Sequence, residues 1–321
     1  MSLHEQETVS LTHPGTVGLS GPREVVVPKQ LGSVRLIREV GRGGMGVVWS
    51  GHDDMLGRDV AVKFLMGAAP TPDDPGFAAF LEGARAAAKL KCPNMTTIYH
   101  ADVIDGSPYI VMEFVDGPTL ACVVQKAGPM CLAAAWAVMV NVCGTVADLH
   151  EAGIIHRDIK PSNVMLDTDC NIFLTDFGIA LCRDTAESGA EKVGVAGTPA
   201  YMAPEAFDGY ASARTDTYAL GMMFYELLRG QPAFGGTTLE EVKSHHRATE
   251  PDMAPLSYNK IDRAVIEIIE RALRKDPKFR FKSARHLLEA MERAQLPSSV
   301  RIRGASELRS AALKCRTATG S

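Results

Sequence analysis

Hydrophobic and polar positions alternate with two different rhythms along this chain. Between residues 34 and 112 the apolar positions come in short, β-branched runs. Residues 34–40 have strand character, a glycine-rich stretch follows at 41–46, and Val47-Val48-Trp49 resumes the pattern. Two such runs about a glycine loop predict a hairpin. Val60-Ala61-Val62-Lys63-Phe64-Leu65 predicts a third strand, and Tyr109-Ile110-Val111-Met112 another, buried one. A breaker-rich loop is expected over 67–76, where Pro70, Pro72 and Pro75 fall. Apolar or small residues at 80, 83, 84, 87 and 90 predict a helix over 80–90. From residue 132 the helical period takes over, predicting helices at 132–150, 216–229, 238–247, 261–274 and 283–294. A strand-rich first part and a helix-rich second part predict an α+β protein of two lobes. No internal repeat is visible.

Composition narrows the picture. The chain has 321 residues, long for one core and suited to two lobes. Hydrophobic residues are 46% and charged residues 22%, which excludes a wholly disordered, collagen-like or coiled-coil chain. A formal net charge of −4 gives no sign of nucleic-acid binding. The seven cysteines are scattered and form no C-x-x-C pair, so neither a disulfide framework nor a zinc cage is expected, and a reducing cytoplasm is the natural setting. The polar, acidic N-terminus does not read as a signal peptide.

Residues 127–147 carry no charge and approach the length of a bilayer span. They include Gly128, Pro129, Asn141, Gly144 and Thr145 and run into Asp148, His150 and Glu151. A buried core helix, not a transmembrane segment, is expected. Residues 1–33 mix Gly, Pro, Ser and Thr and predict a flexible N-terminal tail. Residues 295–321, with Arg301, Arg303, Arg309, Lys314 and Arg316 against Glu307, predict a basic flexible C-terminal tail.

Chemistry concentrates in a few short stretches. Gly41-Arg42-Gly43-Gly44-Met45-Gly46-Val47-Val48 fits G-x-G-x-x-G-x-V. A dinucleotide-binding reading needs a helix to start at the loop, and a β-branched strand follows instead. The P-loop pattern is absent. A glycine hairpin can lie flat over a triphosphate because no side chain blocks its backbone N–H groups; by itself it is equally a plain tight turn. Four further stretches follow in order. They are Val60-Ala61-Val62-Lys63, then His156-Arg157-Asp158-Ile159-Lys160-Pro161-Ser162-Asn163, then Asp176-Phe177-Gly178, then Ala203-Pro204-Glu205.

Together these five motifs resemble the protein-kinase superfamily over about residues 34–294, and bacterial eukaryotic-like serine/threonine kinases in particular. The resemblance implies a two-lobed kinase fold, with a β-rich N-lobe at about 34–112, a hinge at 113–117 and a mainly helical C-lobe at 118–294. It implies ATP and Mg²⁺ as cofactors, with Mn²⁺ as an alternative, and protein substrates with Ser or Thr acceptors. Autophosphorylation, with a homodimer to carry it out in trans, fits the same picture. Lys63 would meet the α- and β-phosphates. Asp158 would accept the hydroxyl proton, and Lys160 would neutralise the transferring phosphoryl group. Asn163 and Asp176 offer hard oxygen ligands of the kind Mg²⁺ takes. The nucleotide would be lined by Val40, Gly41, Arg42, Gly43, Gly44, Met45, Gly46, Val48, Ala61, Met112, Glu113, Val115 and Met165. Glu205 is expected to pair with Arg280, and Asp216 to hold the catalytic-loop backbone. Thr198 is expected to position Asp158 and Lys160. Thr185 and Ser188 are the candidate autophosphorylation sites, with Arg157 as their partner.

One position departs from the family pattern. The helix glutamate that pairs with the strand lysine falls on Gly83, and Glu82 sits one residue early. One residue turns a side chain about 100° around a helix. The departure keeps a second reading open beside the active kinase: an ATP-binding pseudokinase or weakly active signalling scaffold.

Overall fold

The computed structural model describes residues 7–8, 26–43, 46–65, 75–90, 92–176, 181–182, 190–294, 296 and 298–317. The chain forms two compact units. The first comprises Met1–Lys89 and Thr96–Val115, the second Leu90–Met95 and Asp116–Ser321.

In the first unit, β1 (Glu7–Thr8) pairs with β2 (Val26–Val27). A six-stranded antiparallel sheet then gathers β3 (Gln30–Leu31), β4 (Val34–Gly43), β5 (Gly46–Asp53), β6 (Arg58–Leu65), β7 (Ile98–Ile104) and β8 (Ser107–Glu113). Its spatial order is β3-β4-β5-β6-β8-β7. Helix α1 (Pro75–Lys89) packs against β7. Cross-strand register divides the sheet into two faces. Val47 lies opposite Phe64, Phe64 opposite Tyr109, and Val62 opposite Val111. These residues join Val27, Leu31, Val34 and Val60 in one buried cluster. The other face carries the row Val48–Lys63–Ile110 and the row Ser50–Ala61–Met112.

Two expectations change in this unit. Residues 26–33, expected within a flexible tail, form β2 and β3 and bury Val27 and Leu31 in the core; residues 9–25 lie outside the described residues. Strand β7 was not foreseen, because exposed His100 and Asp102 interrupt its apolar run.

The second unit contains α2 (Leu120–Ala127), α3 (Leu132–Glu151), α4 (Ala213–Arg229), α5 (Leu239–Ala248), α6 (Ala254–Tyr258), α7 (Arg263–Ala272), α8 (Ala284–Arg293) and α9 (Ser298–Thr317). Its short strands are β9 (Ile154–Ile155), β10 (Val164–Leu166), β11 (Ile172–Leu174), β12 (Leu181–Cys182), β13 (Glu191–Lys192) and β14 (Tyr210–Ala211). Helix α3 is long and apolar enough to cross a membrane, but it is mostly buried and packs against α4, α8 and α9.

Helix α9 stands where a flexible basic tail was expected. Among its described residues Gly304, Leu308, Ala312 and Cys315 are buried, at near-helical spacing. A Cβ at Gly304 would come within 2.7 Å of the Ala133 carbonyl oxygen, so the glycine lets α9 approach α3 closely. The charges at Arg303, Arg309 and Lys314 lie around this narrow stripe of mostly small residues, which hid the helix in the composition.

Candidate active site

In the first unit the glycine motif spans the end of β4 and the start of β5, which pair at Gly43–Gly46. A Cβ at Gly46 would collide with the Phe64 carbonyl oxygen, so this glycine is demanded by the strand beside it. Gly41 and Gly43 face open space instead. Arg42 is exposed and grips Glu39 with two guanidinium hydrogen bonds. Val40 is exposed within an irregular stretch of the β4–β5 register. Gly44 and Met45 lie outside the described residues.

Val48, Ala61, Lys63 and Met112 share the sheet face opposite the hydrophobic cluster, and Lys63 is buried there. At the end of β8, the Glu113 N–H donates to the Thr97 carbonyl (2.9 Å), while its carboxylate accepts from the Thr97 N–H (3.1 Å). Val115 is buried two residues on. In α1, Gly83 is buried with Ala84 and Ala87, and Glu82 is exposed. The helix thus turns the glycine inward and the glutamate outward, as the one-residue offset requires.

In the second unit the candidate residues rest on a hydrogen-bonded frame. Asp216, near the start of α4, is fully buried and accepts from the N–H groups of His156 (2.8 Å) and Arg157 (2.9 Å). It also bonds His150 Nε2 at 2.9 Å. The Ala284 N–H donates to His150 Nδ1, so the imidazole carries its proton on Nε2 and donates it to Asp216. Burial alone would raise the Asp216 carboxyl, but the His150 hydrogen bond and the Arg157 N–H outweigh it and hold the group below the ordinary carboxylate range. Arg157 takes a left-handed backbone at φ 70° while its guanidinium reaches the Gly194 carbonyl (2.7 Å).

Asp158 is held from several sides. Thr198 Oγ1 donates to its Oδ1 (2.7 Å). Lys160 Nζ (2.7 Å) and Asn163 Nδ2 (3.0 Å) donate to its Oδ2. Lys160 Nζ also donates to Thr198 Oγ1 (2.6 Å), closing a ring of lysine, threonine and aspartate. Asn163 Nδ2 bonds the Asp158 carbonyl as well (2.8 Å), which leaves the amide oxygen of Asn163 as a potential ligand.

The hairpin β10–β11 pairs Val164 with Leu174, and beyond that pair the Thr175 N–H and hydroxyl both donate to the Asn163 carbonyl. This fixes Asp176, the next residue, with a left-handed φ of 71°. Met165 on β10 bridges to Thr119 at the start of α2. Phe177 and Gly178 lie outside the described residues, as do Thr185 and Ser188. Further along, the Arg280 guanidinium holds Glu205 through two bonds (2.6 and 2.8 Å) and also donates to the carbonyls of Arg274, Arg214 and Lys275.

Sequence reasoning missed several supports. His150 reads as an ordinary helix-end histidine, although it carries the underside of Asp216. Tyr201 donates to Glu226 Oε2 (2.6 Å), and burial raises both groups' pKa values. Neither partner stands in a motif.

The sequence profile of the protein kinase domain matches residues 34–291. A probable serine/threonine-protein kinase of Streptomyces coelicolor is 37% identical over 265 residues, covering 80% of this chain and 39% of that protein. The serine/threonine-protein kinase PknB of Mycobacterium tuberculosis is 36% identical over 252 residues, 76% of this chain and 40% of PknB. PknB of Mycobacterium leprae matches at 36% over 251 residues, with 76% and 40% covered. The chain thus spans about two fifths of the length of the curated relatives it matches. The motifs, the two-unit α+β fold and these matches lead to one assignment: the chain belongs to the protein kinase family, in its bacterial eukaryotic-like serine/threonine branch.

Proposed function

We propose that this chain is an active serine/threonine kinase that transfers the γ-phosphoryl group of ATP to protein hydroxyls, with autophosphorylation among its reactions. The observation that carries this reading is the closed ring of Asp158, Lys160 and Thr198, with Asn163 as a further donor to Asp158. Protein kinases in general use ATP and Mg²⁺, and their catalysis is mostly positioning and charge neutralisation.

The residues present fit the metal. Among the described residues no cluster of three or more His, Cys, Asp or Glu side chains exists to hold an ion alone. A site of one carboxylate and one amide oxygen, completed by phosphate and water, is what Mg²⁺ commonly takes. The Asn163 amide oxygen and the Asp176 carboxylate would supply those ligands; Mn²⁺ suits the same oxygen donors. Held there, the metal would supply positive charge to offset that of the phosphates.

The chain's own groups do the rest. Asp158 orients the acceptor hydroxyl and takes its proton, held in place by Thr198 and Asn163. Lys160 offers a cation to the phosphoryl group in transit. Lys63 would hold the α- and β-phosphates. The open space at Gly41 and Gly43 leaves the turn free for phosphate, and Val48, Ala61, Met112, Glu113, Val115 and Met165 would line the base. A cytoplasmic setting and trans-autophosphorylation in a homodimer fit this reading. The test is incubation with γ-labelled ATP, Mg²⁺ and casein, followed by phosphoamino-acid analysis. Label on serine or threonine is expected; label on neither casein nor the chain would overturn the proposal.

One observation favours the second reading, an ATP-binding pseudokinase or weakly active scaffold. With Glu82 exposed and Gly83 buried in α1, the carboxylate usual for this helix position is missing from the buried face. Such a protein would bind nucleotide without turnover.

A further inference from the structure

Helix α9 brings together two sulphur atoms far apart in sequence. Cys122 lies on α2 and is half-buried; Cys315 lies in the last turns of α9 and is 1% exposed. Their Sγ atoms are 2.9 Å apart across 193 positions of chain. That is well inside the ordinary contact distance of two sulphur atoms, about 3.6 Å, though longer than the S–S bond of about 2.05 Å. The approach follows from helix packing: Leu308, Ala312 and Cys315 are buried, and Gly304 lies against Ala133. Three other cysteines sit differently. Cys143 is wholly buried and its thiol is pushed up by burial, Cys92 Sγ donates to Asp148, and Cys131 is exposed.

We propose that Cys122 and Cys315 form an inducible disulfide site, at which hydrogen peroxide joins the two thiols and fastens α9 to α2. The half-buried Cys122 is the sulphur that peroxide can reach. Its thiolate attacks one peroxide oxygen, the O–O bond breaks, and hydroxide leaves to become water as Cys122 becomes a sulfenic acid. The Cys315 sulphur then displaces the sulfenic oxygen as a second water, forming the S–S bond. Two thiols and one peroxide give one disulfide and two waters; the sulphurs lose two electrons and the peroxide gains them. A dithiol reverses the step by exchange.

The link sits beside the β10–β11 hairpin. The Cys122 N–H is the donor that the Thr119 side chain accepts to cap α2, and Thr119 bridges to Met165, two residues beyond Asn163. Closing so long a loop restricts the unfolded chain strongly.

The experiment treats the full chain with a few equivalents of hydrogen peroxide, blocks remaining thiols with iodoacetamide and maps peptides without reduction. A peptide linking Cys122 to Cys315 is expected, with two fewer titratable thiols. Its melting temperature should rise by about 5 °C and return to the starting value with dithiothreitol. Cys131→Ser should keep both signals, while Cys315→Ala and, separately, Cys122→Ser should lose them. Recovery of Cys122 and Cys315 as alkylated thiols after peroxide, or linkage of either mainly to another cysteine, would overturn the proposal.

Discussion

The two units organise their candidate chemistry in different ways. In the first, the sheet supplies geometry through register: Val48, Ala61, Lys63 and Met112 share a face because cross-strand partners must. That face is set by strand pairing, and the position of the expected helix carboxylate is held by Gly83. In the second, polar contacts tie the N–H groups of His156 and Arg157 and the side chains of Asp158, Lys160 and Asn163. Asp216 anchors two backbone N–H groups, and Thr198 and Lys160 close a ring on Asp158. The charged groups of the second unit are fixed by hydrogen bonds to one another, whereas the first arranges its candidate residues by strand pairing. The departure at Gly83 falls in the unit whose candidate residues are arranged by sheet register.

The strongest way to break this contrast is to remove a buried tie. Arg280 is 1% exposed and holds Glu205 and three carbonyls. Arg280→Ala leaves those groups without their donor and is expected to cost about 3–5 kcal/mol, read by chemical denaturation. Trp136 reports on the second unit in a Trp49→Phe background, since the chain's two tryptophans fall one in each unit. A loss below about 1 kcal/mol would show that the frame is not what holds the loop.

Thr198→Ala should follow, lowering initial transfer rates by about 100-fold with little change in nucleotide affinity, because it opens the ring on Asp158. Thr198→Ser should restore most of the rate.

A third effect is pH dependence confined to the second unit. His246 is fully buried, bonded to Tyr218 (2.9 Å) and packed edge-on against Phe234. Burial, with the Lys275 charge nearby, pushes its pKa down to about 3. The unfolded chain takes up a proton below about pH 6.5 that the folded chain refuses. Stability is therefore fully present above pH 6.5 and falls as pH drops toward 3, by about 2 kcal/mol at pH 5. His246→Gln should flatten that slope in denaturation curves between pH 5 and 7.5.

The smallest effect concerns the first unit. Gly83→Glu should raise activity several-fold, and Glu82→Ala should leave it unchanged, since Glu82 is exposed. A large loss on Glu82→Ala would mean that the helix turns to use that residue, and the contrast between the units would need redrawing.

Much of this architecture was legible in the chain. The strands at 34–43, 46–53 and 58–65 and the long helix of 132–151 announce themselves by period. The motif residues, being close in sequence, fix their own neighbourhood. What stayed hidden depends on distant partners: His150 beneath Asp216, Tyr201 on Glu226, and the α9 stripe at 304, 308, 312 and 315 that touches α3. A stripe of mostly small residues buries too little apolar area to stand out among five basic residues.

The central claim, that the prebuilt loop of the second unit transfers phosphate despite Gly83, is tested most directly by separating binding from turnover. ATP affinity, measured by calorimetry, and γ-phosphate transfer are compared for the wild-type chain and Asp158→Asn. The account predicts similar affinity for both, turnover in the wild type, and a loss of at least about 1,000-fold in the variant. Equal turnover in the two proteins, or nucleotide binding with no turnover in the wild type, would contradict it.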